Sequence, residues 1–388
     1  MTVSETFLHI VLLCGGLLYG AACAVALFGN LRPRPRRTGH VPDVSVVIAA
    51  RNEEEHIGEL LNDLIGQDYP SGKLDIVVVD DCSADGTSGI VEHFSARDVR
   101  IRYIDVRQSD SPYSHKKRAI HAGVTSSGGD IILITDADCR VTPGWVSGMA
   151  GYFAVGIDLV AGAVIPVGGG ISGRFEALEM AGIQAMSAGL MDAGFPVTCN
   201  GANLAYRREA FERVGGFDGI GRLVSGDDDL LMQKIARGNP SGVVYVTGAD
   251  CAVRTRAGHG PVEYVNRRAR WTSKILHYPS KAAVLMLAGF FVFFAAVPVG
   301  IVLAGAGMIG WGSLVWSLGL KAAGDALLTS RGVLSMKRPW LMALFPLAWI
   351  VHIPYIVTVV LKGVFGSFEW RGRLSAAVSA ECGEQVHD

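Results

Sequence analysis

The sequence is short of charge. Only 18% of its 388 residues are Asp, Glu, Lys or Arg, and 35 basic residues face 36 acidic ones for a net charge of −1. No global basic field exists to draw a nucleic acid, which excludes that partner class. No C-x-x-C pair occurs among the seven scattered cysteines, so neither a disulfide framework nor a cysteine zinc site is expected. No G-x-G-x-x-G follows the first strand and no G-x-x-x-x-G-K-[ST] occurs anywhere, which argues against dinucleotide and P-loop sites. No repeat or low-complexity tract appears beyond the Arg/Pro segment at 32–37.

What is abundant is apolar surface, at 50% of residues, and it is concentrated. Phe7 to Gly29 is long enough to cross a bilayer. A cleaved signal peptide would carry basic residues ahead of its apolar run. Here they follow it, at Arg32, Arg34, Arg36 and Arg37. The positive-inside rule then places the N-terminus outside and the chain from residue 32 in the cytoplasm. Val284 to Ile309 and Leu341 to Leu361 read as further spans. Trp311 to Leu328 is weaker, because Lys321 and Asp325 lie within it, four apart and able to pair on one helix face. Whether it spans is left open. A spanning segment puts Arg331, Lys337 and Arg338 in the cytoplasm, whereas Arg371 and Arg373 pull the tail there instead.

Between the apolar regions the chain alternates strand and helix. Val44–Ala50, Asp75–Asp80, Ile101–Val106 and Asp130–Thr135 are short and apolar, rich in Val and Ile, as buried strands are. Helices are expected over Glu53–Ile65, from Thr87, and over Lys116–Ala122, with Lys116 and Lys117 just ahead of a helix beginning near Arg118. This order predicts a parallel α/β sheet, which binds ligands at the carboxyl ends of its strands. Three of those ends carry polar or acidic residues: Arg51-Asn52-Glu53, Asp80-Asp81 and Asp136-Ala137-Asp138.

Each cluster has a bland alternative. Asp136 and Asp138 could be a solvated turn, but behind a buried strand they suit a divalent cation, Mg²⁺ or Mn²⁺. Asp80 and Asp81 could cap a helix, or bond to a nucleotide base or ribose. Lys116 and Lys117 could be an exposed pair, or neutralise a diphosphate. Asp227, Asp228 and Asp229 open a helix, where capping accounts for one carboxylate and a general base for another. Arg267, Arg268, Arg270 and Trp271 could anchor the chain at a membrane surface, or contact a leaving diphosphate and an acceptor.

As a set these motifs resemble the membrane-bound branch of the family 2 glycosyltransferases. The resemblance covers roughly residues 43–275. Val46 to Glu53 looks like the opening strand and nucleotide loop, and Val78 to Thr87 like the V-D-D-x-S-x-D-x-T segment. Lys116 precedes Ala119-Ile120-His121-Ala122-Gly123, Asp136-Ala137-Asp138 matches the metal motif, and Asn200-Gly201-Ala202-Asn203 resembles the acceptor side. The resemblance implies a GT-A fold and an inverting, metal-dependent glycosyltransferase of hexosyl type. Its donor would be a nucleotide sugar, UDP-linked in the first instance. Its acceptor would be a lipid or lipid-linked glycan. It implies Asp227 or Asp228 as base, and Ala49, Arg51, Glu53, Asp80, Asp81, Lys116, Asp136 and Arg270 around the donor. Asn203, Trp271 and Arg267 would face the acceptor, and Asp136 and Asp138 would hold the metal.

The Q-x-x-R-W motif of processive members reads Arg267-Arg268-Ala269-Arg270-Trp271, with Arg in place of Gln, which weakens a polysaccharide-synthase reading. A sugar nucleotidyltransferase would carry a Gly-rich loop after the first strand, and a non-catalytic scaffold gives no reason for three acidic strand ends. The expected organisation is a transmembrane helix at 1–31, a basic linker at 32–42 and a cytoplasmic GT-A domain at 43–277 whose C-terminal part is interfacial. A transmembrane region of two or three spans at 278–365 and a tail at 366–388 complete a multi-pass cell-membrane protein.

Overall fold

The computed structural model describes residues 3–107, 111–223, 225–258, 260–370 and 373–376. In chain order the elements are α1 (Val3–Asn30), β1 (Val44–Ala50), α2 (Ile57–Ile65), β2 (Leu74–Asp80), α3 (Thr87–Ser95), β3 (Ile101–Asp105), α4 (His115–Ser126), β4 (Ile131–Asp136) and α5 (Trp145–Ala150). There follow β5 (Leu159–Gly162), β6 (Val164–Val167), α6 (Gly170–Asp192), β7 (Leu204–Arg207), α7 (Arg208–Arg213), α8 (Asp229–Gly238), β8 (Val243–Val246) and β9 (Val253–Arg256). The remainder is α9 (Pro261–Thr272), α10 (Lys281–Gly305), α11 (Gly312–Ser335), α12 (Phe345–Phe365), β10 (Ser367–Trp370) and β11 (Arg373–Ala376). The chain forms two compact units. One comprises Gly20–Gly258 and Lys321–Phe345; the other comprises Met1–Tyr19, His259–Leu320 and Pro346–Asp388.

The first unit is built on a seven-stranded sheet of order β3-β2-β1-β4-β7-β5-β8. Its strands form because Val44, Val46, Ile48, Ile76, Val78, Ile131 and Leu133 are all fully or nearly fully buried. Each such side chain contributes roughly 1.5–3 kcal/mol. The apolar stripe of α2, at Ile57, Leu60, Leu61 and Leu64, closes over the same core. The four strands read from sequence, β1 to β4, pair in parallel as expected. β7, which was not read from sequence, runs antiparallel to both β4 and β5. A four-residue strand leaves too short a periodic signal to read a direction from. α2 also starts at Ile57 rather than Glu53, because the backbone at Glu53 makes a turn that accepts from the amides of His56 and Ile57.

The C-terminal part of α1 belongs to this unit and packs on α6. Gly29 and Gly189 make the crossing possible: a Cβ on Gly29 would lie 1.8 Å from the Gly189 carbonyl, and one on Gly189 would lie 1.9 Å from that of Ala26. Asn30 fastens the contact by donating to the carbonyls of Ala26 (2.9 Å) and Ala185 (2.8 Å).

In the second unit Tyr19 packs edge-on against Phe290 and Phe294, and Tyr264 stacks on Tyr355. Three helical segments among the described residues are long and apolar enough to cross a membrane: Glu5–Asn30, Lys281–Gly305 and Pro339–Phe365. α11, the segment left open above, is not among them. Its Lys321 is fully buried and donates to Asp325 at 2.5 Å, the i,i+4 pair expected from the spacing. Arg371 and most of the 366–388 tail lie outside the described residues.

Candidate active site

Strand register brings the acidic ends together. Ala50 pairs with Asp80 across β1 and β2, Ala49 with Asp136 across β1 and β4, and Asp80 with Asp105 across β2 and β3. Ala49 is the one residue of β1 that is not fully buried.

The loops after β1 and β2 are laced to each other. Asn52, at φ 52°, donates its amide to Ser83 Oγ (3.0 Å) and accepts from the amide of Ala84 (2.8 Å). Cys82 takes φ 64°. Arg51 donates to the Asp81 carbonyl at 3.0 Å, and Glu53 donates its amide to Thr87 Oγ1 at 2.8 Å. Left-handed backbone at two non-glycine residues costs energy that these bonds offset.

Asp80 proves to be internal. It is fully buried, accepting from the amide of Ser83 (2.7 Å) and the hydroxyl of Tyr103 (3.1 Å). Asp81 is 4% exposed and pairs with Arg118. In this structure neither carboxylate of the acidic pair is open to solvent.

The centre of the site is Lys116. α4 begins at His115, so Lys116 and Lys117 lie inside its first turn, not ahead of it. Successive helical residues point about 100° apart, and the two lysines accordingly do different things. Lys116 Nζ lies 2.6 Å from Asp136 Oδ1 and 3.1 Å from Asp227 Oδ2. Burial opposes its charge, but Asp136 and Asp227 outweigh that and hold its pKa well above the ordinary lysine value. Lys117 is buried and donates to the carbonyls of Leu223 and Ser225, each at 2.7 Å. Ser114 Oγ donates to the same Leu223 carbonyl at 3.0 Å and to that of Gly221 at 3.1 Å. These bonds hold the approach to Asp227. Gly226, at φ 89°, completes it; a Cβ there would meet Leu230 Cδ1 at 2.3 Å.

Asp227 and Asp228 have separate environments. Asp228 is the N-cap of α8: one oxygen accepts from the Asp229 amide (2.7 Å) and the other from the Gly201 amide (3.1 Å). Asp227 is 8% exposed and turned to Lys116. Gly201 packs beneath both; a Cβ on it would lie 3.1 Å from Asp227 Oδ2 and 3.5 Å from Lys116 Nζ.

Asp136 is more open, its side chain 37% exposed. Asp138 is half-buried, and the weak thiol of Cys139 lies 3.7 Å from its Oδ1. Two hard carboxylates at an accessible strand end fit Mg²⁺ or Mn²⁺. No group of three or more His, Cys, Asp or Glu suited to a metal occurs among the described residues.

Asn203 departs from its expected place on the acceptor side. It is fully buried, donating to the carbonyls of Ala163 (2.8 Å) and Cys251 (2.7 Å) and accepting from Trp145 Nε1 (3.0 Å). Every polar atom of its side chain is used inside the core. Arg267, Arg270 and Trp271 lie on α9, in the other unit. There the Arg268 guanidinium sits 4.1 Å from the Trp271 ring centroid and 5.1 Å from that of Tyr264, so a cation already covers the indole.

Arg118 and Tyr103 were given no site role from sequence, Lys117 was read only with Lys116 as one basic pair, and Gly201 only as part of the Asn200–Asn203 stretch. Ser114 was the available signal for the lysines: read as an N-cap, it places both in the first turn.

The pattern called Glycosyl transferase family group 2 matches residues 131–365, and Glycosyl transferase family 2 matches residues 45–215. The first covers more than half of the chain, which therefore belongs to the family 2 glycosyltransferase group, on a GT-A fold. Glycosyltransferase AglE of Haloferax volcanii is 31% identical over 195 residues, covering 49% of this chain and 60% of AglE. The probable glycosyltransferase YdaM of Bacillus subtilis is 35% identical over 188 residues, 46% of this chain and 43% of YdaM. The chain thus aligns with less than two thirds of either relative. Among solved structures, the mannosyltransferase PcManGT from Pyrobaculum calidifontis, in complex with GDP-Man and Mn²⁺, superposes over 92% of this chain and 99% of its own. At a TM-score of 0.60 and 19% identity that likeness is one of fold.

Proposed function

We propose that the protein transfers a sugar from a nucleotide-sugar donor to a lipid or lipid-linked glycan at the cytoplasmic face of the membrane, inverting the anomeric centre. The observation that carries this reading is the meeting of Asp136, Lys116 and Asp227 in one place, the first on the metal motif and the last on the candidate base. Asp227 takes the proton of the acceptor hydroxyl. The hydroxyl oxygen bonds to the anomeric carbon as the bond from that carbon to the diphosphate breaks. Lys116 places positive charge where the diphosphate departs. Asp136 and Asp138 would hold Mg²⁺ or Mn²⁺, which when bound supplies further charge for the leaving diphosphate. The Mn²⁺ and GDP-Man in the PcManGT complex support a divalent ion and a nucleotide-sugar donor. Arg51, Glu53, Asp80 and Asp81 shape the nucleotide pocket from behind, and Ala49 forms part of its floor. The roles of Arg267, Arg270 and Trp271 rest on the sequence resemblance alone. The lipid acceptor rests on the three candidate spans.

The test is a screen of purified protein against nucleotide sugars, UDP-linked first, with Mn²⁺ or with chelator. Donor turnover that needs the metal and is lost in Asp138→Ala is expected. Full metal-dependent transfer by Asp138→Ala would sink the proposal.

A further inference from the structure

A cavity of mixed polar and apolar lining lies in the first unit and shares no residue with the site around Lys116. It has a volume of about 240 Å³. That is smaller than the roughly 300–1,000 Å³ clefts that take drug-sized ligands, and is the scale of a headgroup rather than a nucleotide sugar. Its wall carries five cations from three separate segments: Arg34 on the linker, Arg254 on β9, and Arg331, Lys337 and Arg338 at the end of α11. Among the described residues no Asp or Glu lines it.

Arg34 is compensated, donating to Asp192 at 3.1 Å and to Thr247 Oγ1 at 2.6 Å. Among the described residues no carboxylate pairs with Arg331, Lys337 or Arg338, and none with the side chain of Arg254. The Arg338 guanidinium donates to the Pro166 carbonyl at 2.8 Å. Burial and the nearby Arg254 guanidinium both push its pKa below the ordinary arginine value. Like charges are thus held together without an anion to offset their repulsion.

Lys337 adds an independent sign. It occupies the left-handed position that ends α11, at φ 57°, with the Arg338 amide bonded back to the Val333 carbonyl at 2.8 Å. Glycine is the usual residue at such a helix end. A lysine there gives up backbone ease and puts a cation on the cavity wall. Helix-end carbonyls favour cations, which accounts for the α11 residues but not for Arg254 or Arg34.

The position identifies the ligand's source. Asn30, the last residue of the candidate span Glu5–Asn30, lines the cavity, and Arg338 immediately precedes the span Pro339–Phe365. The cavity therefore lies beside the ends of two candidate membrane spans. We propose that it binds the phosphate headgroup of an anionic membrane lipid, at a site distinct from the one that holds the donor.

The experiment is native mass spectrometry of the full chain in detergent micelles, titrated with dioleoyl phosphatidic acid, with dioleoylglycerol and with inorganic phosphate. The comparison variant is Arg254→Gln, Arg331→Gln, Lys337→Gly. Glycine at 337 keeps the backbone at ease, and an unchanged circular-dichroism melt shows that the variant folds. The wild type should bind phosphatidic acid roughly a hundredfold more tightly than the variant, from three lost cation–phosphate contacts. Dioleoylglycerol should not distinguish the two, and inorganic phosphate should fail to displace the lipid. Equal binding by both proteins overturns the proposal. So does ready displacement by inorganic phosphate, which would make the cavity a free-anion site. Binding is read without any sugar transfer, so it stands or fails apart from the catalytic reading.

Discussion

The ammonium of Lys116 lies 3.1 Å from a carboxylate oxygen of Asp227. The same ammonium reaches Asp136 at 2.6 Å, so one cation joins the end of β4 to the start of α8. Replacing it with methionine keeps the length and removes the charge. Lys116→Met should lower turnover by roughly 10²–10³-fold, the scale of losing one pre-placed charge at a developing anion. Lys116→Arg should recover part of the rate. Steady-state kinetics at saturating donor checks both.

Lys117 acts on position rather than on chemistry. Its buried ammonium satisfies two carbonyls, at Leu223 and Ser225. Lys117→Met should cost about 3 kcal/mol of stability, because both acceptors lose a charged donor. Chemical denaturation of the two proteins measures it. An unchanged midpoint would remove Lys117 from the scaffold of the Asp227 loop.

Gly201 is packed against the reacting groups. A methyl there would lie 3.1 Å from Asp227 Oδ2 and 3.5 Å from Lys116 Nζ. Gly201→Ala should displace the Asp227 carboxylate by a few tenths of an ångström, with Lys116 Nζ left in ordinary contact, and reduce kcat by roughly 10-fold, since small misplacements at a reacting centre are costly. Donor affinity, measured by calorimetry, should change little.

Tyr103 gives a pH signature. Burial first, then the neighbouring charge of Asp80, pushes its hydroxyl up to about 12. A neutral acid whose folded pKa is raised binds more protons folded than unfolded in that range. Its contribution to stability is complete below about pH 10, the ordinary tyrosine value, and is lost as pH rises toward 12. Thermal melts between pH 9 and 12 should therefore fall more steeply for the wild type than for Tyr103→Phe.

The strands carrying the site were legible because β-branched runs such as Val44–Ala50 and Leu74–Asp80 have one physical use, as buried strands. The acidic strand ends followed directly from them. Asp136 and Asp227 were both named from sequence, yet their shared partner depended on which way Lys116 points. That is fixed by where α4 starts, and a helix boundary is the least readable part of a pattern. Asn203 and Asp80 show the opposite difficulty. A polar residue in a motif reads as exposed and functional, while burial with every hydrogen bond satisfied leaves no mark in sequence. The direction of β7 was hidden for a third reason: four residues carry too few side chains to show which neighbour they will join.

The most direct test compares sugar transfer by Asp227→Asn and Asp228→Asn at saturating nucleotide sugar and Mn²⁺. Asp228 caps α8 and Asp227 faces Lys116. Asp227→Asn should lose roughly 10²–10⁴-fold in rate, the range for removing a general base, while binding donor as the wild type does. Asp228→Asn should keep its rate within roughly 10-fold and lose about 1 kcal/mol of stability at most, as a weakened helix cap does. Near-normal transfer by Asp227→Asn, or the two variants in reversed order, would contradict the account.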